Sequence, residues 1–367
     1  MEPVTYATAG VDVEAGDRAV ELMRAAVSRT HGPEVLGGGG GFAGLFDASA
    51  LCGYRRPLLA SSTDGVGTKL AIAQALDVHD TVGFDLVAMV VDDVVVCGAR
   101  PLFMTDYIAC GRVVPERIAA IVTGIAAACA QAGCALTGGE TAEHPGVMRP
   151  DDYDLAGAAV GVVEADDLLG AGRVRAGDVV LGMGSSGLHS NGFSLVRRVV
   201  EVAGWDYARH VEEFGRTLGE ELLEPTRVYA ADVVDLAAAC GGAVHAVAHV
   251  TGGGLAANLA RVLPPALEAV VDRASWPPAP VFDVVARLGG VPRNDLERTL
   301  NLGVGMVAVV DRRHADDAVD RLRGRGVPAW VLGEVSDPRT ELGGDVTQGA
   351  KGVDGGSVRM VGDHPAR

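Results

Sequence analysis

The sequence predicts an α/β protein of two domains, and three observations carry that reading. Its 367 residues exceed what one hydrophobic core usually serves. Apolar runs of strand length alternate with segments of helical period along most of the chain. Several of the strand-like runs end in glycine-rich turns that lead into a helix, at residues 61–69, 182–192 and 251–254. Composition agrees, because the apolar residues lean on Ala and Val, aromatics are only 4%, and 51 glycines supply loops lined by backbone.

A formal net charge of −17 with no basic block opposes a nucleic-acid or anionic-membrane partner. Any phosphate site must therefore be assembled locally from Lys or Arg, metal ions and backbone amides. Cys52, Cys97, Cys110, Cys129, Cys134 and Cys240 form no Cys-x-x-Cys pair and have no matching His cluster. They are expected to be reduced core residues of a cytoplasmic protein, not a structural zinc site. Residues 1–17 hold acids and no apolar core segment, so no signal peptide is expected. Residues 118–139 carry no charge and are long enough to cross a bilayer, but Thr123, Gln131, Gly133 and Thr137 divide them into a buried helix and a strand.

In chain order, Val20, Met23 and Val27 stand at helical spacing in the first segment. Gly37 to Gly41 (Gly37, Gly38, Gly39, Gly40, Gly41) precede Phe42; no packed element accommodates that run, so a loop is expected, either one that closes over a ligand or a plain linker. Residues 58–60 read as a strand, 61–69 as a tight loop and 70–76 as a helix. In that loop Gly65 and Gly67 let backbone N–H groups approach a ligand, and Lys69 adds positive charge beside a helix start. Asp64 repels phosphate unless Mg²⁺ lies between them, which points to an Mg–nucleotide site. The alternative is a plain strand-to-helix turn in which Asp64 caps the helix.

Residues 81–98 have helical period and contain Asp85, Asp92 and Asp93 among valines. Asp85 and Asp92 share a face and Asp93 lies a step round it. Carboxylates in so apolar a helix need a cation or donor partners, and at least one is a candidate metal ligand. Residues 102–109 read as a strand holding Asp106, 115–132 as a helix, 134–137 as a strand, and 138–143 as a turn with Glu140 and Glu143. Residues 153–164 form a further strand. The polar stretch 170–177 marks a domain boundary, giving domains 1–169 and 170–340. The Gly- and charge-rich residues 341–367 read as a disordered tail.

The second half restarts with a strand at 178–181, a loop to Gly192 and a helix at 193–202. Gly182-x-Gly184-x-x-Gly187 matches the dinucleotide fingerprint, but His189, Ser190 and Asn191 interrupt the path to the helix. The acid at the required distance, Glu201, falls inside that helix. A nicotinamide site is therefore disfavoured, and the loop suits a polar or phosphorylated substrate. Another strand holds His245 and His249 and runs into Thr251, Gly252, Gly253 and Gly254. His249, beside the turn, is the candidate for proton transfer, and His245 reads as structural. Strands at 268–271 and 304–310 and a helix at 315–323 complete the half.

Several stretches together resemble one family, the phosphoribosylformylglycinamidine cyclo-ligases (aminoimidazole ribonucleotide synthetases) of purine biosynthesis. They are Ala9-Gly10-Val11-Asp12, residues 37–42, residues 63–69, Asp85-Leu86-Val87-Ala88-Met89, residues 138–143, residues 185–192, Pro225-Thr226-Arg227 and residues 249–254. They run in family order over about residues 5–335. The resemblance implies an N-terminal domain whose mixed sheet pairs across a homodimer into a barrel, and a C-terminal α/β sandwich. It implies ATP-driven ring closure of formylglycinamidine ribonucleotide in the cytoplasm, with Mg²⁺ as cofactor. Asp64 and Asp93 then look like Mg²⁺ ligands, with Glu140 and Asp106 as weaker candidates. Gly65, Gly67, Thr68 and Lys69 would hold the ATP phosphates, and the loop Gly37–Gly40 would close over them. Ser186, Gly187, His189, Ser190, Asn191, Thr251, Gly252 and Gly253 would bind the ribonucleotide, with His249, His189 and Asn191 nearest the chemistry.

The chain departs from the family pattern at Asp92, where Asn is usual, and at Leu300, where Phe usually precedes the Asn301-x-Gly303-x-Gly305 motif. Residues beyond about Asp337 match nothing in the pattern. Selenophosphate synthetase, a related alternative, would carry Cys or selenocysteine in the first glycine loop, where this chain has none. A non-catalytic nucleotide-binding scaffold would be expected to lack Asp64, Lys69 or the residues from His189 to Asn191, and all are present.

Overall fold

The computed structural model describes residues 5–6, 9–37, 41–339, 341–349 and 352–365. It divides into two compact units, Met1–Val94 with Arg100–Ala165, and Val95–Ala99 with Asp166–Arg367. The division falls at 165/166, ahead of the expected 169/170, because the last strand of the first unit runs unbroken to Glu164. No helix among the described residues is long and apolar enough to cross a membrane.

In the first unit, helix α1 (Val13–Ser28) starts at Asp12, whose Oδ1 accepts the Ala15 amide at 3.0 Å. Its buried face is Ala19 and Ala26, while Val20 is left 48% exposed, so the expected stripe of larger apolar residues is offset. Strands β1 (Val35–Leu36) and β2 (Leu45–Phe46) pair as an antiparallel ribbon. Gly37 follows β1, whereas Gly38, Gly39 and Gly40 lie outside the described residues. Then follow β3 (Pro57–Gly65), α2 (Leu70–Leu76), α3 (Val82–Val95), β4 (Arg100–Cys110), α4 (Pro115–Ala132), β5 (Ala135–Glu143) and β6 (Tyr153–Glu164). The sheet order is β3-β6-β4-β5, with only β4 and β5 parallel.

Two stretches expected to be turns are strand. Residues 61–65 continue β3, paired on β6 as far as Gly65 opposite Ala156, and residues 138–143 continue β5 along β4. Both are polar because one face of this sheet is open. Met104, Ile108, Leu155 and Ala159 are buried on the other face. On the open face Leu59 is 65% and Tyr107 41% exposed, in line with exposed Thr63, Thr105 and Ala158. The uncharged stretch resolves, as expected, into α4 and β5.

The second unit contains β7 (Val179–Gly184), α5 (Phe193–Ala203), the ribbon β8 (His210–Val211) and β9 (Arg216–Thr217), α6 (Leu218–Leu222), α7 (Ala230–Ala239), β10 (Val244–His249) and α8 (Gly254–Ala260). After these come β11 (Glu268–Asp272), α9 (Pro280–Gly289), α10 (Arg293–Thr299), β12 (Val304–Val310), α11 (Ala315–Gly324), β13 (Ala329–Ser336), β14 (Asp345–Gln348) and β15 (Ser357–Val361). One sheet runs in the order β10-β12-β7-β13-β11-β15-β14. Every residue of β7 and β12 is buried, which is why these strands read as unbroken apolar runs.

The expected disordered tail is instead part of this sheet. Strand β15 pairs in parallel with β11, and β14 closes the edge beyond it. Val358 and Met360 join the core cluster with Leu259, Val271 and Trp276. Composition concealed this strand because Arg359 interrupts it. That charge is neutralised by a two-pronged pair with buried Glu268, with both N–O distances at 3.0 Å.

Candidate active site

Each unit has its own cluster of candidate residues. In the first, β3 delivers Asp64 to an exposed position, where Oδ1 accepts the Gly65 amide at 2.7 Å. A Cβ on Gly65 would lie 2.7 Å from the Leu155 carbonyl oxygen, so only glycine fits there against β6. Gly67 has φ +76°, a left-handed conformation that reverses the chain into a single 3₁₀ turn before α2. Thr68 and Gly67 are exposed.

That turn sends Lys69 inward. Its side chain is fully buried, and Nζ lies 2.8 Å from Oδ1 of equally buried Asp85 in the first turn of α3. The ammonium expected to serve phosphate is paired in this structure with Asp85. Of the other two acids on α3, Asp92 is fully buried and Asp93 is exposed. Glu140 is exposed on β5 beside Tyr107.

Asp64, Gly157, Asp106 and Gly139 occupy one rung across four strands. A Cβ on Gly139 would stand 2.1 Å from Asp106 Oδ1, so a larger residue in that rung would have to displace the carboxylate. Burial pushes the Asp106 carboxyl up to about 7, far above the usual carboxylate range. Among the described residues no group of three or more His, Cys, Asp or Glu forms a metal cage. The exposed pair Asp64 and Asp93 nevertheless suits Mg²⁺ in type, since that ion is commonly held by one or two carboxylates together with nucleotide phosphates.

In the second unit, β7 and β10 flank β12, so the turns after β7 and β10 and the connection into β12 come together. Ser186 is the hinge of the first turn: its hydroxyl donates to the Pro225 carbonyl at 2.6 Å and accepts the Arg227 amide at 3.1 Å. Its own amide donates to His189 Nε2 at 3.2 Å, which leaves Nδ1 to carry the hydrogen of a neutral ring. His189 is buried with φ +63°, tilted against Tyr229 at 6.1 Å. Gly305 makes room for both rings, since a Cβ would lie 2.1 Å from the Tyr229 hydroxyl and 2.4 Å from His189 Cε1.

The two expected substrate turns are joined directly, because the Gly252 amide donates to Asn191 Oδ1 at 3.1 Å. Asn258 Nδ2 donates to the carbonyls of Thr251 and Gly254, and the Gly253 amide donates to the Arg298 carbonyl. Gly254, at φ +73°, approaches α10 so closely that a Cβ would fall 1.7 Å from the Glu297 carbonyl oxygen. Ser190 and His249 are buried beside these turns. His245 is held 2.7 Å from Asp178 Oδ2, in keeping with its structural reading.

Sequence reasoning missed Asn301 as a site residue. Its Nδ2 donates to the Gly187 carbonyl at 3.0 Å, while Oδ1 accepts the Gly303 amide at 2.8 Å and faces the Ser185 hydroxyl at 3.1 Å. The signal was the Asn301-x-Gly303-x-Gly305 motif, noted in the sequence only for the residue preceding it. As for the fingerprint glycines, Gly182 and Gly184 lie within β7, packed against Leu332 and Pro328, and do not open a helix.

Residues 47–163 match the family described as AIR synthase related protein, N-terminal domain, and residues 175–344 match its C-terminal domain counterpart. Among solved structures, thiamine-monophosphate kinase from Stenotrophomonas maltophilia shares the fold with TM-score 0.64 and 21% identity, covering 95% of this chain and 97% of its own. HypE of E. coli shares it with TM-score 0.64 and 18% identity over 95% and 93%. The phosphoribosylformylglycinamidine cyclo-ligase of Geobacillus kaustophilus is 52% identical over 332 residues, covering 90% of this chain and 95% of that protein. The enzyme of the same name from Sorangium cellulosum is 54% identical over 333 residues, again 90% and 95%. With both domains matched and half of the residues shared across nearly the whole length, the chain belongs to the phosphoribosylformylglycinamidine cyclo-ligase family.

Proposed function

We propose that this chain closes formylglycinamidine ribonucleotide to 5-aminoimidazole ribonucleotide at the expense of ATP, releasing ADP and phosphate. The observation that carries the proposal is its identity, 47–54% over at least nine-tenths of the chain, with relatives bearing the name of that activity. In this reaction the formyl oxygen takes the γ-phosphoryl group, which turns a poor leaving group into a good one. The ribosyl-bearing nitrogen then attacks the former formyl carbon, loses its proton, and phosphate departs as the ring closes. Such chemistry calls for positioning and charge neutralisation more than for a protein nucleophile.

Asp64 and Asp93 would hold Mg²⁺, which supplies charge neutralisation at the triphosphate. The backbone of Gly65, Gly67 and Thr68 would line the phosphates. Lys69 serves this turn from beneath, through Asp85. Ser186 to Asn191 and Thr251 to Gly253 take the ribonucleotide phosphate and amidine, and His249 receives the proton released on ring closure. The open face of the β3-β6-β4-β5 sheet, with Leu59 and Tyr107 exposed, is the surface through which two copies would pair into a homodimer.

The test is to mix the purified protein with Mg–ATP and formylglycinamidine ribonucleotide and assay ADP and the aminoimidazole. Formation of both in equal amounts is expected, and Asp64→Ala or Asp93→Ala should abolish it. ATP consumption without the ribonucleotide product would refute the proposal.

A further inference from the structure

The segment after β13 is tied to the back of both second-unit turns by two separate routes. The first is electrostatic. Arg273, 2% exposed, grips Glu297 of α10 with two hydrogen bonds at 2.7 and 2.8 Å and also donates to Asp345 of β14 at 2.9 Å. Arg293 bonds the same Glu297, the Gly362 carbonyl at 3.1 Å, and Asp363. Helix α10 is thus held by Arg273 from outside and by its own first residue, Arg293, each braced by a carboxylate from the C-terminal segment. The same helix supplies the Glu297 carbonyl against Gly254 and the Arg298 carbonyl that accepts the Gly253 amide.

The second route is aromatic. His364 lies edge-on to Trp276 with ring centres 4.6 Å apart, and its Nδ1 is 3.0 Å from the Arg273 carbonyl and 3.2 Å from the Trp276 carbonyl. Carbonyls only accept, so Nδ1 carries the hydrogen. Trp276 Nε1 in turn donates to the Leu302 carbonyl at 2.8 Å. Leu302 has φ +47° and follows Asn301, the residue that ties down Ser185 and Gly187. A cavity of about 20 Å³, room for one water, separates His364 and Met360 from Asn301 and Leu302. The connection into β12 therefore has space to shift if its support is removed.

We propose that residues 345–349 and 352–364 act as a positioning strap: Asp345, Asp363 and His364 set the backbone of the 252–254 and 301–303 turns and thereby the fit of the ribonucleotide. This rests on the reading that those turns bind the substrate. None of the three touches substrate; they act through Glu297 and Trp276. The strap adds to the fold and to the site separately, because Val358 and Met360 build the core whereas Asp363, 83% exposed, builds none of it.

The experiment uses the full-length protein with Asp363→Asn and His364→Ala, made separately and together. Kinetics are read for each substrate, and amide hydrogen exchange is followed across residues 251–254 and 298–303. The expected result is a KM for the ribonucleotide raised roughly 2- to 30-fold, as couplings of this kind give. The KM for ATP should hold, and exchange should quicken at those amides. Variants that lose melting temperature while KM and local exchange match the parent would overturn the proposal, leaving the strap merely structural. Should the parent protein form no aminoimidazole product, the functional reading fails on its own, and the exchange data still decide whether the strap governs the turns.

Discussion

Replacing Lys69 by methionine should destabilise the first unit far more than it weakens ATP binding. Nζ and Asp85 Oδ1 are 2.8 Å apart and both side chains are completely shielded from water. Removing one partner strands a charge in an apolar helix, which typically costs about 3–5 kcal/mol. With a urea slope of about 2 kcal/mol/M, the first unit's midpoint should fall by roughly 2 M. All three tryptophans, Trp205, Trp276 and Trp330, belong to the second unit. Fluorescence therefore follows that unit, and circular dichroism minus the fluorescence transition isolates the first. Lys69→Met with Asp85→Leu should regain most of the loss, because a buried pair can be replaced by apolar side chains at little cost. A Lys69→Met protein as stable as the parent, with a KM for ATP raised tenfold, would refute this account and return Lys69 to the phosphates.

Asp106→Asn should show a pH-dependent stabilisation when measured with EDTA present. The folded protein raises this carboxyl from 3.8 to about 7, so its favourable contribution is complete below 3.8 and is lost as pH rises to about 7. At about 1.4 kcal/mol per pH unit the variant should gain at most about 4 kcal/mol over the parent at pH 8, and little at pH 4. A constant difference between those two pH values would refute the burial argument. Gly254→Ala forces a side chain into φ +73° and onto the Glu297 carbonyl, and should cost about 1–3 kcal/mol or more, read as an earlier fluorescence transition. Asp64→Asn and Asp93→Asn remove exposed groups, so stability should change by less than about 0.5 kcal/mol while the Mg²⁺ needed for half-maximal rate rises at least tenfold.

The parts of the fold legible in the sequence are those where apolar periodicity was strong. Strands β6 and β12 and helix α11 fall within a residue of their expected bounds, since in each the buried positions alone define the element. Polar strand ends were read as turns. The Ser, Thr, Asp and Gly of residues 61–65 carry no apolar pattern because one face of their sheet is open, yet each is in register with a residue of β6. The tail strand was hidden by Arg359, whose partner Glu268 lies 91 residues earlier; no local pattern reveals that match. The Lys69–Asp85 ion pair was hidden for the same reason: the two residues lie 16 apart, and only the packing of α3 against the turn brings them together. Within the second unit the candidate site residues Ser186, His189, Asn191 and Gly252 were visible as motif members, but their mutual hydrogen bonds, and the bracing by Asn301, are tertiary facts.

The parallel placement of β15 against β11 has a bearing on biogenesis. Residues 268–272 leave the ribosome long before residues 357–361 can cover them, so a nascent second unit carries a bare ladder of amides and carbonyls on β11 until β15 has been made. Proteolytic clipping near residue 344 would recreate that naked edge in the mature protein. Such shortened chains should be recovered as intermolecular β-aggregates, and a peptide spanning residues 345–365 added during refolding should suppress them.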